Sequence, residues 1–299
     1  MEVALYHPTE GYYCRDRNRV GRAASTDFFT ASSLGPVFGE LVVTSCVSLL
    51  RGADPARFSF VEYGAEAGNG ILDGIDHPFK EARLIGVNDA TEITGPAIVF
   101  SNELFDAQPC QRFRGTGEGW EELGAELTSD GIVEANRPTG SLPPALPASG
   151  PRGYHLDLPT GAETLATAIA AQPWPGLFVA FDYGKAWLEL TESVPQGTAR
   201  AYHRHRQKTA LFEAMGEQDL TCHICWDHLT EVLQQHQFET DLVLSQEAFL
   251  VRHAAEKLAE IMSAEAAHLS ARKSGLMQLL HPSALGQKFQ VLSAWREES

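Results

Sequence analysis

Gly176-Leu177-Phe178-Val179-Ala180-Phe181-Asp182-Tyr183-Gly184 is a short apolar run that ends in an acid and then a glycine. A run this short and continuous reads as a strand buried on both faces of a parallel sheet. Two other stretches end the same way. Arg57-Phe58-Ser59-Phe60-Val61 leads into Glu62-Tyr63-Gly64, with Gly68 and Gly70 beyond. Ala97-Ile98-Val99-Phe100-Ser101 leads into Asn102-Glu103, then Asp106. Ligands of open α/β sheets sit just past the carboxyl ends of the strands. Three buried strands tipped with acids therefore predict one acidic ligand site. Such a floor suits a polyhydroxylated or cationic ligand and disfavours a bare phosphate.

Working outward, Val37 to Leu50 is apolar enough for a helix, entered from an aromatic- and glycine-rich segment that holds Tyr6, Tyr12 and Tyr13. Arg83-Leu84-Ile85-Gly86-Val87 reads as a second strand and Tyr154 to Leu158 as another. A helix from Thr160-Gly161 to about Ala171 is stopped by Pro173 and Pro175. Asp227 reads as the N-cap of a helix through Gln234, and Asp241-Leu242-Val243-Leu244 as a strand. Ser245 caps a helical stretch from 246 to 280, interrupted near Ser263 or Ser274, before a terminal strand over 288–293. Strands alternating with helices indicate an α/β sheet. Proline and glycine concentrate between Arg137 and Gly153, so 111–155 is expected as a surface excursion from a single domain spanning 1–299. Residues 185–226 show little helical periodicity.

The chain carries 39 acids against 23 basic residues, a net charge of -16. That balance argues against nucleic acid, whose binding depends on Lys and Arg neutralising phosphates. It suits a basic protein partner or a cationic small molecule. No apolar run approaches a membrane span, and no basic-then-apolar leader opens the chain, so neither membrane insertion nor secretion is expected. The cysteines at 14, 46, 110, 222 and 225 are an odd, scattered set, which points to reduced thiols in the cytoplasm. Cys222-His223-Ile224-Cys225 lacks the second ligand pair that a structural zinc needs, so no metal is expected.

The turn Glu62-Tyr63-Gly64-Ala65-Glu66-Ala67-Gly68-Asn69-Gly70 lets backbone approach a ligand and lets a following helix pack on the sheet. Glycine turns also occur without ligands, but an acid at a strand tip is costly unless hydrated or bonded. Asn102, Glu103 and Asp106 bring more hydrogen-bonding capacity than one helix cap needs. The stretch Tyr202-His203-Arg204-His205-Arg206 reads equally as a solvated face or a cleft wall. No Gly-x-Ser-x-Gly elbow is present, which argues against a hydrolase.

Eight collinear segments resemble the MidA-type S-adenosylmethionine-dependent methyltransferases. They are Ala4-Leu5-Tyr6-His7-Pro8 with Gly11-Tyr12-Tyr13; Asp27-Phe28-Phe29-Thr30-Ala31 with Phe38-Gly39; Glu62-Tyr63-Gly64-Ala65; and Asn102-Glu103-Leu104-Phe105-Asp106-Ala107. Asp182-Tyr183-Gly184, Gly197-Thr198 with Tyr202 and His205, Gly216-Glu217-Gln218-Asp219-Leu220-Thr221, and Leu285-Gly286-Gln287-Lys288-Phe289 complete the set. The resemblance implies an α/β fold with a class I (Rossmann-like) methyltransferase sheet and an added substrate-covering region, placed at 185–226. It implies S-adenosyl-L-methionine as cofactor and methylation of an arginine side chain of a protein partner. Carried over by motif, Asp27, Thr30, Glu62, Gly64 and Gly68 bind the cofactor, Asn102, Glu103 and Asp106 are catalytic, and Asp182, His205, Asp219 and Thr221 bind substrate. The family's turn reads Glu-x-Gly-x-Gly-x-Gly, whereas Glu66 occupies the second glycine position here. The segment 71–96 is short, leaving Asp89 or Glu92 to stand for the acid that grips a ribose. These departures raise an alternative, a catalytically degenerate relative that serves as a protein-binding or assembly factor.

Overall fold

A computed structural model describes residues 1–15, 34–65, 69–87, 89–129, 131–137, 142–203, 206–208, 210–266 and 270–298. The chain forms two compact units. The first comprises Met1–Phe28, Phe105–Leu165 and Gly184–Leu229; the second comprises Phe29–Leu104, Ala166–Tyr183 and Thr230–Ser299. In chain order the elements are α1 (Glu2–Tyr6), α2 (Pro36–Leu49), β1 (Ser59–Tyr63), β2 (Glu81–Ile85), β3 (Ala97–Asn102), β4 (Gln111–Gly115), β5 (Trp120–Thr128), β6 (Gly131–Asn136) and β7 (His155–Leu158). They continue with α3 (Thr160–Ala170), β8 (Gly176–Asp182), β9 (Gly184–Lys185), α4 (Trp187–Glu192), β10 (Arg200–His203), β11 (Arg206–Lys208), β12 (Asp219–Thr221) and β13 (Ile224–Cys225). Last come α5 (Trp226–Gln235), β14 (Glu239–Thr240), β15 (Leu244–Ser245), α6 (Gln246–His253), α7 (Ala255–Ala264), α8 (Ala271–Leu280) and β16 (Gln290–Arg296).

The second unit is built on a sheet of order β14-β16-β8-β3-β1-β2, with β15 also on β16. Strands β2, β1, β3 and β8 run parallel, and β16 is antiparallel to β8. Every residue of β1 and β8 is buried, as continuous apolar runs require of central parallel strands. Alternate residues Phe60, Ile98, Phe100, Leu177, Val179 and Phe181 join one core cluster with Phe38, Leu41 and Val42 of α2 and with Phe249, Leu258 and Leu276 of α6, α7 and α8. The period of two along the strands thus meets the helical period of α2 on one face.

Several local expectations shift. No helix follows the glycine turn: the described residues between β1 and β2 form turns. Instead α2 lies against that turn, and a Cβ on Gly39 would stand 2.1 Å from the Ile71 carbonyl oxygen. Only a glycine lets the helix backbone come this close. The 246–280 stretch divides into three helices, with breaks at Ala254 and after Ala264, and Ser245 does cap α6 by accepting from the Ala248 amide at 3.2 Å. Asp227 lies inside α5, and its carboxylate accepts from the Trp187 amide rather than capping the helix. Instead of one strand over 241–244, β14 ends just before the segment and β15 begins at its last residue, Leu244; both pair with β16.

Among the described residues, the first unit holds three small sheets. Expected as a surface excursion, residues 111–155 supply β4, β5 and β6, which with β7 make an antiparallel sheet of order β6-β5-β4-β7. It has its own apolar cluster around Phe113, Trp120, Tyr154, Leu156 and Leu158. The polar 185–226 stretch forms β10 between β11 and β12, and β13 beside β9. Cys222 lies beyond β12 and Cys225 within β13, and both are buried.

Candidate active site

Within the second unit, register decides which predicted residues meet. Tyr63 pairs with Ser101, so Gly64 is level with Asn102, which itself pairs with Phe181. Gly64, Asn102, Glu103 and Asp182 therefore line one edge of the parallel sheet, at the carboxyl ends of three adjacent strands. Gly64 has φ +79°, a left-handed turn suited to glycine. Glu103 takes φ +53° without being glycine. Its amide donates to the Phe181 carbonyl at 3.0 Å, and its Oε1 accepts from Asn102 Nδ2 at 3.1 Å. The Asn102 Oδ1 is buried and accepts no hydrogen bond among the described residues. An acceptor left in that state is suited to a ligand N–H or O–H. Asp182 is fully buried, and its Oδ1 accepts from the Tyr183 amide at 2.7 Å.

Glu62 sits two positions short of this edge, under the turn. Its Oε2 accepts from the Ile71 amide at 2.8 Å, so it braces the turn directly. Burial raises its pKa from the usual 4.5 to about 7; the Ile71 N–H opposes that shift and Asp73 adds to it. The folded chain therefore holds the proton longer than the unfolded chain. The contribution of Glu62 to stability is fully present below about pH 4.5 and is lost as pH rises through 7, a loss of about 3 kcal/mol at most. Glu62→Gln keeps an acceptor for Ile71 and removes the titration. Urea midpoints should then decline between pH 4.5 and 7.5 in the parent and stay flatter in the variant; equal slopes would refute the assignment.

Asp106, Asp219 and Thr221 belong to the first unit. Asp219 and Thr221 are the ends of β12, and the Cys222 amide just after it donates to the Asp106 carbonyl at 2.8 Å. Asp106 and Asp219 are both buried, and both raise the pKa values of Tyr6 and Tyr13, behind the larger effect of burial. Tyr13 Oη donates to Asp219 Oδ1 at 2.9 Å. Asp27, Thr30, Gly68 and His205 lie outside the described residues, as does Glu66. Of the acids proposed for the ribose, Asp89 accepts from the Gly86 amide at 2.7 Å, while the Glu92 carbonyl accepts from Arg83.

Two features escaped the sequence. Tyr13 and Asp219 are 206 positions apart, and nothing local announces their bond. Asp157 is 1 % exposed and takes Thr198 N at 2.6 Å, Ala199 N at 2.8 Å and Arg112 Nε at 2.8 Å. Its signal was available: an acid flanked by Leu156 and Leu158 in a buried strand is expensive without partners.

Residues 81–243, more than half of the chain, match the model of a family described as S-adenosyl-L-methionine-dependent methyltransferase. The chain belongs to this family, in keeping with its MidA-type motifs. It is a methyltransferase whose methyl donor is S-adenosyl-L-methionine. The mitochondrial protein arginine methyltransferase NDUFAF7 homolog of Caenorhabditis elegans is 24% identical over 293 residues, covering 78% of this chain and 67% of the relative. A Burkholderia thailandensis protein crystallised with S-adenosyl-homocysteine superposes with a TM-score of 0.86 at 23% identity, covering 99% of this chain and 86% of the other. A native crystal structure from the same organism gives 0.80 at 23% identity, covering 99% and 85%. The shared fold is thus the class I methyltransferase sheet.

The strand-edge groups fit the donor. It carries a sulfonium, an ammonium and ribose hydroxyls, and the edge offers carboxylates, the buried Asn102 acceptor and a glycine backbone. Among the described residues, no helix follows β1 to bring its N-terminus to the turn.

Proposed function

We propose that the protein transfers a methyl group to a guanidinium nitrogen of an arginine side chain on a protein partner, with a basic segment of that partner attracted by the chain's net charge of -16. The observation that carries this reading is Glu103. A non-glycine residue at φ +53° costs of order 1 kcal/mol or more, and such strain persists where the surroundings over-determine it. Asn102 and the Phe181 carbonyl hold Glu103 in place, so its carboxylate is presented in a fixed direction at the strand edge. A fixed carboxylate can accept two guanidinium N–H groups and align the nitrogen that attacks. The name of the Caenorhabditis elegans relative supports arginine as the target.

The bound donor supplies an electrophilic methyl on sulfur. In the transfer the nitrogen–carbon bond forms as the sulfur–carbon bond breaks, and one guanidinium proton leaves. The Glu103 carboxylate orients the guanidinium and receives that proton. Asp182 is proposed as a second substrate contact on this edge; in the first unit, Asp106, Asp219 and Thr221 are proposed as substrate-contacting residues.

Incubating the protein with methyl-labelled donor and a soluble protein extract, then hydrolysing and separating the amino acids, tests the target. Label in methylarginine is expected; label in methyllysine alone would overturn the reading. Glu103→Gln and Asp106→Asn should each lower turnover on the order of 100-fold, the scale of one lost positioning or acid–base group, while donor affinity stays within a factor of about three. Full turnover in both variants would remove these residues from the site.

A further inference from the structure

The chain's first fifteen residues fold back on themselves. The Tyr12 amide donates to the Ala4 carbonyl and the Tyr13 amide to the Leu5 carbonyl, both at 2.9 Å. This brings the Tyr6 and Tyr13 rings into a stack, with centroids 5.6 Å apart and planes at 21°. Tyr12 meets Tyr13 edge-on at 5.1 Å. Tyr6 Oη donates to the Ala107 carbonyl at 3.1 Å and accepts from Gln108 Nε2 at 3.1 Å. Tyr13 Oη donates to Asp219 Oδ1. The segment is clamped to the strand that carries Asp219: Ala4, Leu5 and Tyr12 share one apolar cluster with Ala201 and Leu220, and a Cβ on Gly216 would lie 2.3 Å from the Glu10 carbonyl oxygen.

We infer that Tyr13 is a positioning residue for the substrate cation, holding Asp219 beside the Tyr6–Tyr13 stack so that aromatic face and carboxylate together select a guanidinium over an ammonium. The inference rests on the arginine reading and extends it to specificity. A guanidinium is planar and weakly hydrated, so it stacks on an aromatic face while forking to a carboxylate. A lysine ammonium is a compact, strongly hydrated point charge with no planar face to stack. Tyr13 suits the role because burial, Asp219 and Tyr6 all favour its neutral form, which keeps the hydroxyl a donor. Tyr6 and Tyr13 are only partly buried, whereas Asp219 is buried and depends on a fixed partner for its orientation.

The test titrates the full chain, with S-adenosylhomocysteine present, against N-acetyl-arginine methylamide and N-acetyl-lysine methylamide. The parent protein should prefer the arginine compound. Tyr13→Phe keeps the ring and loses the hydroxyl; it should weaken the arginine compound about tenfold, as expected for a hydrogen bond to a charged group. Tyr13→Leu should bring the arginine-to-lysine ratio close to one. A purely structural tyrosine would lower the thermal midpoint and weaken both compounds alike, leaving the ratio unchanged, and that result overturns the inference. An unchanged ratio with methylarginine still formed refutes Tyr13 alone. No preference in the parent, with no methylarginine formed, refutes the arginine reading and the inference together.

Discussion

Asp157→Asn should destabilise the first unit by about 3 to 5 kcal/mol, the range for breaking a buried charge pair by removing one partner. The carboxylate has no exposed side-chain surface and is shared by three donors. An asparagine offers one oxygen, and its NH2 would face donors. The two amides share Oδ2 while Arg112 Nε uses Oδ1, so either both amides lose their acceptor or Arg112 does, and in the second case its remaining ion pair among the described residues is with Glu134, at 3.0 Å. The loop cannot easily move to compensate. Gly197 at φ +65° has no Cβ because one would stand 2.3 Å from Asp157 Oδ2, so the carboxylate fills the space beside the loop. The expected loss is a large part of the 5–15 kcal/mol that holds a typical domain together. Urea titration should show the fall, and hydrogen exchange should locate it. The Thr198 and Ala199 amides should exchange on the order of 100-fold faster or more. The double change Arg112→Met with Asp157→Leu should recover only part of the loss, because the two amides stay unsatisfied. A single variant within about 0.5 kcal/mol of the parent would show that the loop is held otherwise.

The parallel sheet was legible because its strands are continuous apolar runs, and only a strand buried on both faces needs Phe178-Val179-Ala180-Phe181 in succession. The tips were legible for the same reason: Asn102, Glu103 and Asp182 stand out as polar breaks at the ends of such runs. What the sequence concealed was the register. Glu62 looked like a tip residue, yet pairing places it opposite Phe100, inside the sheet and under Ile71, where burial and the turn set its behaviour. The antiparallel sheet of residues 111–158 was hidden by composition. Its strands carry Arg112, Arg114, Glu121 and Glu134 on one face, and their cross-strand ion pairs replace the apolar alternation that would have announced them. The helix expected after the glycine turn failed because a propensity argument cannot see α2 already packed against Ile71 through Gly39.

Gly64→Val is expected to weaken S-adenosylmethionine and S-adenosylhomocysteine binding at least 100-fold, equivalent to about 2.7 kcal/mol. Two independent effects act. At φ +79° a β-branched residue is a genuine backbone outlier, so the turn must rearrange to admit it. The new Cβ would also stand 2.7 Å from Leu104 Cδ1, two positions beyond the Asn102 acceptor. The turn is tied to its neighbour by the Gly64 amide, which donates to the Ile85 carbonyl at 2.9 Å, so a shift here is passed to the end of β2. The two effects separate experimentally. Gly64→Ala with Leu104→Ala relieves the contact and keeps the backbone strain; recovered affinity in that pair would assign the loss to crowding, and continued weakness to the turn's conformation. Calorimetric titration of folded protein, freed of retained ligand, reads both. If Gly64→Val binds the donor as the parent does, the edge formed by Gly64, Asn102 and Glu103 is not where the donor sits, and the site must be sought elsewhere on the sheet. If the loss appears while the thermal midpoint stays within a few degrees, the turn serves the ligand more than the fold, as expected where a glycine is retained for close backbone approach rather than for packing.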